Sequence, residues 1–315
     1  MELLTQIINI VGSDNVRTDE PMSLHTTFRA GGNAAYFVTP ENENQLSELL
    51  KMCPKYYVIG RGSNLLVRDE GYNGVIIHLG KYFSDIKLSQ QKPVSKVSDS
   101  AEAPSADIPA GIIAGAGAKL SDIATFAMKN SLTGFEFAHG IPGCLGGALV
   151  MNAGAYDGEI KNVLKSARLM APDGSIVIKN AEELELGYRH SNITDDKLTV
   201  LSAELSLMPG EISAIEKKMK ELAEKRREKQ PLEFASAGST FKRPEGHFAG
   251  QLIQEAGLKG FNVGQAQVSE KHAGFVINKG GATAGEIIEL IETVQNKVLE
   301  TSGVRLETEV RIIGG

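Results

Sequence analysis

The sequence predicts a mixed α/β protein, α+β in its detail, built as three domains. Its 315 residues exceed what one small core organises and suit two or three compact units. Apolar positions switch repeatedly between a period near 3.6 and a period of 2, the marks of helix and strand in one chain. Hydrophobic residues at 42% and charged residues at 23% give the balance of a globular protein able to fill several cores.

The opening MELLTQIINIVGSDNV sets Leu3, Leu4, Ile7, Ile8 and Val11 at helical spacing and lacks a basic n-region. It reads as a first helix, not an export signal. AAYFVTP then reads as strand, ENQLSELLKMC as helix, YYVIG as strand, GRGSN as turn, and LLV and GVIIHL as strands. Residues 86–109, rich in Ser, Ala, Pro and Lys and without either period, read as a mobile surface loop between two strands. GIIAGAGA, the helix SDIATFAMKNS and the glycine-rich segment HGIPGCLGGALVMNAGAY follow. Strands SARLMAP and GSIVIK meet at a turn of Pro172, Asp173 and Gly174, and a short helix AEELEL precedes the strand LTVLSAEL.

Helix 211–229 places Ile212, Ile215, Met219 and Leu222 on one face. The remainder holds a helix AGQLIQEAG, a strand at AGFVINKG and a long helix that opens on the capping-box pair Thr283 and Glu286 and closes before Gly303. In the last strand, RLETEVRII, Val304, Leu306, Thr308, Val310 and Ile312 alternate with Arg305, Glu307, Glu309 and Arg311. The charged face is either solvated or the lining of a cleft. The expected domains are 1–80, 81–223 and 224–315.

A net charge of -6 gives no general attraction for phosphate backbones, so no nucleic-acid partner is expected. Two cysteines, Cys53 and Cys144, exclude a disulfide framework and a four-cysteine zinc site; no metal is expected. No run of eighteen apolar residues occurs, so no membrane insertion is expected and the cytoplasm is the expected location.

Several segments have the composition of sites. In GRGSN, residues Gly60, Arg61, Gly62, Ser63 and Asn64 either turn their amides toward an anion or form an ordinary tight turn. GRGSNL and GAGAKL both lack the third glycine of the dinucleotide fingerprint, which disfavours a nicotinamide-type Rossmann domain. The glycine-rich segment reads as a loop in which Gly143, Gly146 and Gly147 clear the inner wall for a flat ligand or a phosphate, or else serve close packing. Cys144, with only His139 near it, reads as a small buried residue and not as a nucleophile. Arg189, after AEELELG, either complements a helix dipole or clamps a carboxylate. Ser239 lies in a loop without a nucleophile elbow. Lys225, Arg226, Arg227 and Lys229 either end a helix in solvent or meet a diphosphate.

In order, HTTFRAGG (25–32), GRGSNLLV (60–67), GIPGCLGGALVMNAGAY (140–156), YR (188–189), AGSTFKRP (237–244) and LETEVRIIG (306–314) closely resemble the UDP-N-acetylenolpyruvoylglucosamine reductase family, flavoenzymes of bacterial peptidoglycan synthesis. The resemblance spans nearly the whole chain. It implies two domains that bind FAD non-covalently in the manner of vanillyl-alcohol-oxidase-type flavoproteins, a C-terminal α/β domain for the UDP-sugar, and NADPH as co-substrate. FAD contacts are then expected at Gly60 to Asn64, Gly115, Gly117, Gly140, Ile141, Pro142, Gly143, Gly146, Gly147 and Ala153. Position 144 of the family pattern is a variable small residue.

The family's three catalytic positions fall on Arg189, Ser239 and Glu309. The implied reaction sends hydride from reduced FAD to C3 of an enolpyruvyl ether. Arg189 then holds the substrate carboxylate as negative charge spreads into it, Glu309 either orients the arginine or, protonated, donates to the developing charge, and Ser239 supplies the proton to C2. Substrate contacts are expected at Tyr188, Lys225, Arg226 and Gln230. The interval from Arg189 to Ser239 has no room for the tyrosine-bearing loop of one branch, so the chain resembles the branch without it, while the 86–109 loop is longer than usual. A monomer acting on a small molecule is expected. The competing readings are another FAD oxidoreductase of this fold, acting on an alcohol or sugar, and a non-catalytic sugar-nucleotide binder.

Overall fold

The computed structural model describes residues 2–89 and 110–315. The chain divides into two compact units, and both are discontinuous in sequence. One comprises residues 1–39, 53–78 and 225–315, the other residues 40–52 and 79–224. The expected segments 1–80 and 224–315 thus contribute mainly to the first unit, and 81–223 to the second.

The first unit holds a four-stranded sheet in the order Val16–Pro21, Asn33–Val38, Tyr72–His78, Tyr56–Ile59, with the first pair antiparallel and the others parallel. Met22, Phe37, Ile59, Val67 and Ile76 bury one cluster on it. A larger core forms around the helix Ala284–Ser302, where Ile287, Leu290, Ile291, Val294 and Val298 recur at three- and four-residue intervals and are all buried. Each such side chain contributes about 1.5–3 kcal/mol on burial. The capping box is present: Thr283 Oγ1 accepts the Glu286 amide and the Glu286 carboxylate accepts the Thr283 amide, while Gly303 closes the helix at φ 73°. Asp69 adds a carboxylate at the same helix start, accepting from the amides of Ala284 and Gly285 at 2.8 and 2.7 Å.

The second unit is built on an antiparallel sheet in the order Ile176–Asn180, Leu164–Met170, Thr199–Pro209, Ala110–Gly115, Ile86–Leu88. The long central strand buries alternate residues, the signature of a sheet with one covered face. The turn at 171–175 forms as expected, with the Ala171 amide donating to the Ser175 carbonyl at 2.9 Å.

Four expectations are corrected. Residues 86–109 are not loop throughout, because Ile86–Leu88 is an edge strand on Ala110–Gly115; the rest of that reading, 90–109, lies outside the described residues. AEELEL is a series of turns, since Leu184 and Leu186 are buried at a two-residue interval that no helix accommodates on one face. RLETEVRII is a ladder strand only at Arg311–Ile313, paired parallel to Leu65–Val67. The glycine-rich segment is not loop alone: Leu145–Val150 is helical, driven by the burial of Leu145, Ala148 and Leu149 against the propensity cost of its two glycines.

Candidate functional site

In the first unit the GRGSN turn rests on the 25–27 backbone. Gly62 has φ 58°, and a Cβ there would collide with the His25 carbonyl oxygen, so only glycine fits. The Thr27 amide donates to the Gly62 carbonyl at 3.2 Å. Among the described residues, the amides of Arg61, Gly62 and Ser63 meet no carbonyl, which suits a turn that presents them to an anion.

The same turn is fastened to the chain's last segment. Asn64 Nδ2 donates to the Glu309 carbonyl at 2.9 Å, and the Arg311 amide donates to the Asn64 carbonyl at 3.1 Å. Ser239 joins this assembly through its neighbour Thr240, whose carbonyl accepts the Glu309 amide at 2.8 Å. Phe241 bridges Thr308 in antiparallel fashion, and the Lys242 amide donates to the Glu307 carbonyl at 2.8 Å. Thr240 is fully buried, its hydroxyl accepting the Val276 amide at 2.9 Å, whereas Ser239 is exposed beside Gly238 at φ 79°. Buried Thr240 therefore anchors the loop and leaves the Ser239 hydroxyl accessible. Asn64, Ser239 and Glu309 are thus brought together on one backbone scaffold.

Polar groups behind the 25–27 segment fix it further. Glu20 Oε1 lies 2.7 Å from His25 Nε2 and accepts from Arg17 at 2.8 Å, and the His25 ring stacks on Phe37 at 4.0 Å. Burial opposes the Glu20 carboxylate, but the hydrogen bonds from His25 and Arg17 outweigh it and hold the group below the usual carboxylate range. His78, which also faces His25, is pushed down by burial and then by the charges of His25 and Arg17. Lys225 is exposed, while Arg226 and Gln230 are half-buried near the end of their helix.

In the second unit, Cys144 bridges Lys119, and the amides of Leu145 and Gly146 donate to the carbonyls of Ala118 and Ala116 at 2.9 and 2.8 Å. A Cβ on Gly146 would press on Ala116, whereas one on Gly147 would meet nothing within 4 Å. The glycines therefore divide their roles: Gly146 serves packing, and Gly147 leaves an open wall. Gly115 and Gly117 back tightly against the backbone of Phe83 and of Leu79 and Gly80, so their need for glycine is structural. Cys144 is buried, and burial pushes the Cys53 thiol up to about 11, so neither cysteine is presented as a nucleophile.

Arg189 sits at φ 55° in a tight turn closed by reciprocal hydrogen bonds between Gly187 and His190, at 3.1 and 3.3 Å. No helix precedes it, so the dipole reading of this arginine lapses. Its guanidinium lies 5.2 Å from the ring centre of Tyr188, which is exposed. Arg189 belongs to the second unit, and Ser239 and Glu309 to the first.

Sequence reasoning missed some polar groups around these segments. Among the described residues, Thr27 Oγ1 and His139 Nδ1 are buried without a hydrogen-bond partner. The first lies beside the GRGSN turn and the second at the head of the glycine-rich segment, so both fit a ligand that brings its own donors and acceptors, as FAD does. No sequence pattern marks them, because an unsatisfied atom is defined by its surroundings. Asn152 was also missed, because its place directly after a helix stop shows only once Leu145–Val150 is known to be helical.

Residues 34–179 match the family model "FAD binding domain", and residues 230–313 match "UDP-N-acetylenolpyruvoylglucosamine reductase, C-terminal domain". A Clostridium botulinum (strain Hall) protein named UDP-N-acetylenolpyruvoylglucosamine reductase is 49% identical over 315 residues, covering 99% of this chain and 96% of the relative. A Clostridium perfringens (strain SM101) protein of the same name is 46% identical over 318 residues, covering 100% and 98%. The crystal structure of UDP-N-acetylenolpyruvylglucosamine reductase from Thermus caldophilus superposes with a TM-score of 0.78 at 33% identity, covering 95% of this chain and all of that one.

Proposed function

This chain belongs to the UDP-N-acetylenolpyruvoylglucosamine reductase family, and from that premise we propose that it reduces the enolpyruvyl ether of UDP-N-acetylglucosamine to UDP-N-acetylmuramate for peptidoglycan synthesis, with FAD bound and NADPH as reductant. The single observation that carries the reading is full-length likeness to proteins of that name, at 49% identity for one of them. When bound, FAD supplies hydride to C3 of the enolpyruvyl group; the rest of the work falls to this chain's residues.

GRGSN offers its amides to the pyrophosphate, and the glycine-rich segment lets the isoalloxazine approach the backbone near Gly147. Arg189 holds the substrate carboxylate as negative charge spreads into it. Glu309, when protonated, donates a hydrogen bond to the developing charge, and Ser239 donates the proton to C2, completing a lactyl ether. The exposure of Ser239 beside an open Gly238 supports that role. Lys225, Arg226 and Gln230 serve the UDP diphosphate, with Tyr188 alongside the substrate. Gln230 Oε1, buried without a partner among the described residues, fits a donor from the nucleotide. No helix among the described residues is long and apolar enough to cross a membrane; the reading completes this as a cytoplasmic monomer acting on a small molecule, without nucleic acid.

The test is a visible spectrum of the purified protein under anaerobic conditions. NADPH should bleach the flavin, and the enolpyruvyl ether should restore it. Ser239→Ala should slow restoration by roughly 10²- to 10⁴-fold while bleaching persists. A colourless protein that binds UDP-sugar would overturn the enzyme, and restoration by an alcohol-derived carbonyl alone would point to a different oxidoreductase.

A further inference from the structure

We infer that Asn152 is a positioning residue that sets the placement of Arg189 from the end of the glycine-rich segment; this rests on the reading of Arg189 as the carboxylate clamp.

Asn152 ends the helix Leu145–Val150. Its amide donates to the Leu149 carbonyl at 3.1 Å and the Ala153 amide to the Ala148 carbonyl at 2.8 Å, the paired bonds of a Schellman stop, with Asn152 at φ 39° in the position glycine usually fills. Stopping the helix needs only the left-handed backbone, which glycine adopts more readily. The asparagine adds a side chain whose hydrogen bonds all leave the helix.

That side chain is 1% exposed and fully engaged. Its Nδ2 donates to the Gly187 carbonyl and to Glu159 Oε2, each at 3.0 Å, and its Oδ1 accepts the Lys161 amide at 2.9 Å. Two acceptors and one donor define the orientation of the amide, because flipping it would oppose all three. Gly187 is the first residue of the turn whose third is Arg189. On the far side of the same turn, Ser191, also buried, donates its hydroxyl to the Val150 carbonyl at 2.9 Å.

The turn bearing Tyr188 and Arg189 is therefore held at both ends by the terminus of one helix. Arg189 occupies a left-handed conformation that surrounding contacts must impose on a non-glycine residue. A long guanidinium side chain reaches where its root points, so a small rotation of the turn displaces the charge by an ångström or more. Displacement of that size costs about 10²-fold in rate when the group acts on a reacting centre.

The experiment uses the FAD-loaded enzyme. Asn152→Gly keeps the helix stop and deletes the clamp. FAD content, thermal midpoint and the rate of bleaching by NADPH should stay within about threefold or a few degrees of the parent, while reoxidation by the enolpyruvyl ether slows roughly 10- to 100-fold. Ser191→Ala should reproduce the split at smaller size and decides the matter if Asn152→Gly folds poorly. In an Arg189→Ala background, Asn152→Gly should add less than about threefold, since its effect passes through the arginine. Unchanged reoxidation, equal slowing of both half-reactions, or a full additional loss in the Arg189→Ala background would each overturn the positioning role. Normal reoxidation by Arg189→Ala alone would instead remove the clamp reading itself, and with it this role.

Discussion

Asn278 offers a measurable test of how the first unit is held together. It is buried, and its Nδ2 donates to the carbonyls of Phe28 at 2.9 Å and Arg29 at 3.4 Å, while its Oδ1 accepts the amides of Gly280 and Ala282 at 2.8 and 3.0 Å. Truncation in Asn278→Ala strands the Phe28 carbonyl and the Ala282 amide in the core. Gly280 is exposed and its amide rehydrates. Two orphaned buried groups at about 1–3 kcal/mol each give a loss of roughly 2–6 kcal/mol. At about 3 °C per kcal/mol for a unit of this size, that is roughly 6–18 °C in thermal midpoint. The chain has no tryptophan, so far-UV circular dichroism in a urea titration is the appropriate probe. Asn278→Asp sharpens the test. It keeps the acceptor for the two amides but turns a carboxylate toward two carbonyls, so at neutral pH it should lose at least as much. Near pH 4, where a protonated carboxyl can donate, part of that loss should return. An Asn278→Ala protein within about 1 kcal/mol of the parent, or an Asp variant equal to the parent at pH 7, would refute the reasoning. The 28–29 backbone continues from the segment under the GRGSN turn, so weakened FAD retention should accompany the loss.

Other perturbations follow from the same geometry. Gly62→Ala forces a side chain into φ 58° and against the His25 carbonyl; it should cost about 2 kcal/mol or more and reduce FAD stoichiometry, and a fully loaded variant with the parental midpoint would contradict it. Cys144→Ala should retain flavin and turnover, measured by absorbance and NADPH consumption; flavin without turnover would reinstate the thiol. Stability should fall on acidification in two steps. His78 and His272 are held below their ordinary value near 6.5, chiefly by burial, so the unfolded chain takes protons first and stability drops as pH falls through about 6.5. Glu20, held below its ordinary value near 4.5, adds a second loss as pH falls from there through its lowered folded value. A thermal midpoint constant from pH 7 to 5 would refute the first step, and His78→Gln should flatten part of it.

Much of the fold was legible because its signals are local. Thr283 and Glu286 announce a helix start three residues apart, and Ile287 to Val298 repeat on the period that buries them. Val16–Pro21 gave no signal, since only Glu20 of its six residues is buried and the strand exists by pairing with Asn33–Val38. The alternation in RLETEVRII is real in burial, with Leu306 and Val310 inside and Arg305 and Glu307 outside. Alternation records which face is covered, however, and not whether a neighbour supplies a ladder. The site divides the same way. Arg189, Ser239 and Glu309 are proposed on six ordered motifs, and no single spacing would have singled them out. The contact of Asn152 with Gly187 spans 35 residues and ends on a backbone carbonyl, which carries no side-chain identity to read.

The pairing of Leu65–Val67 with Arg311–Ile313 also has a meaning in time. The bond from Asn64 to the Glu309 carbonyl closes a span of 245 residues. On the loop-closure relation that span costs about 3 kcal/mol more entropy than a ten-residue turn. The GRGSN turn is made early in the chain and finished by its far end, whereas the antiparallel sheet of the second unit draws on residues 86–209 alone. In synthesis from the N-terminus, the sheet has all its strands while GRGSN still lacks its partner. If the turn takes the flavin pyrophosphate as proposed, that capture belongs to the last stage of folding, and an unfinished chain would carry every residue of the turn without its finished structure.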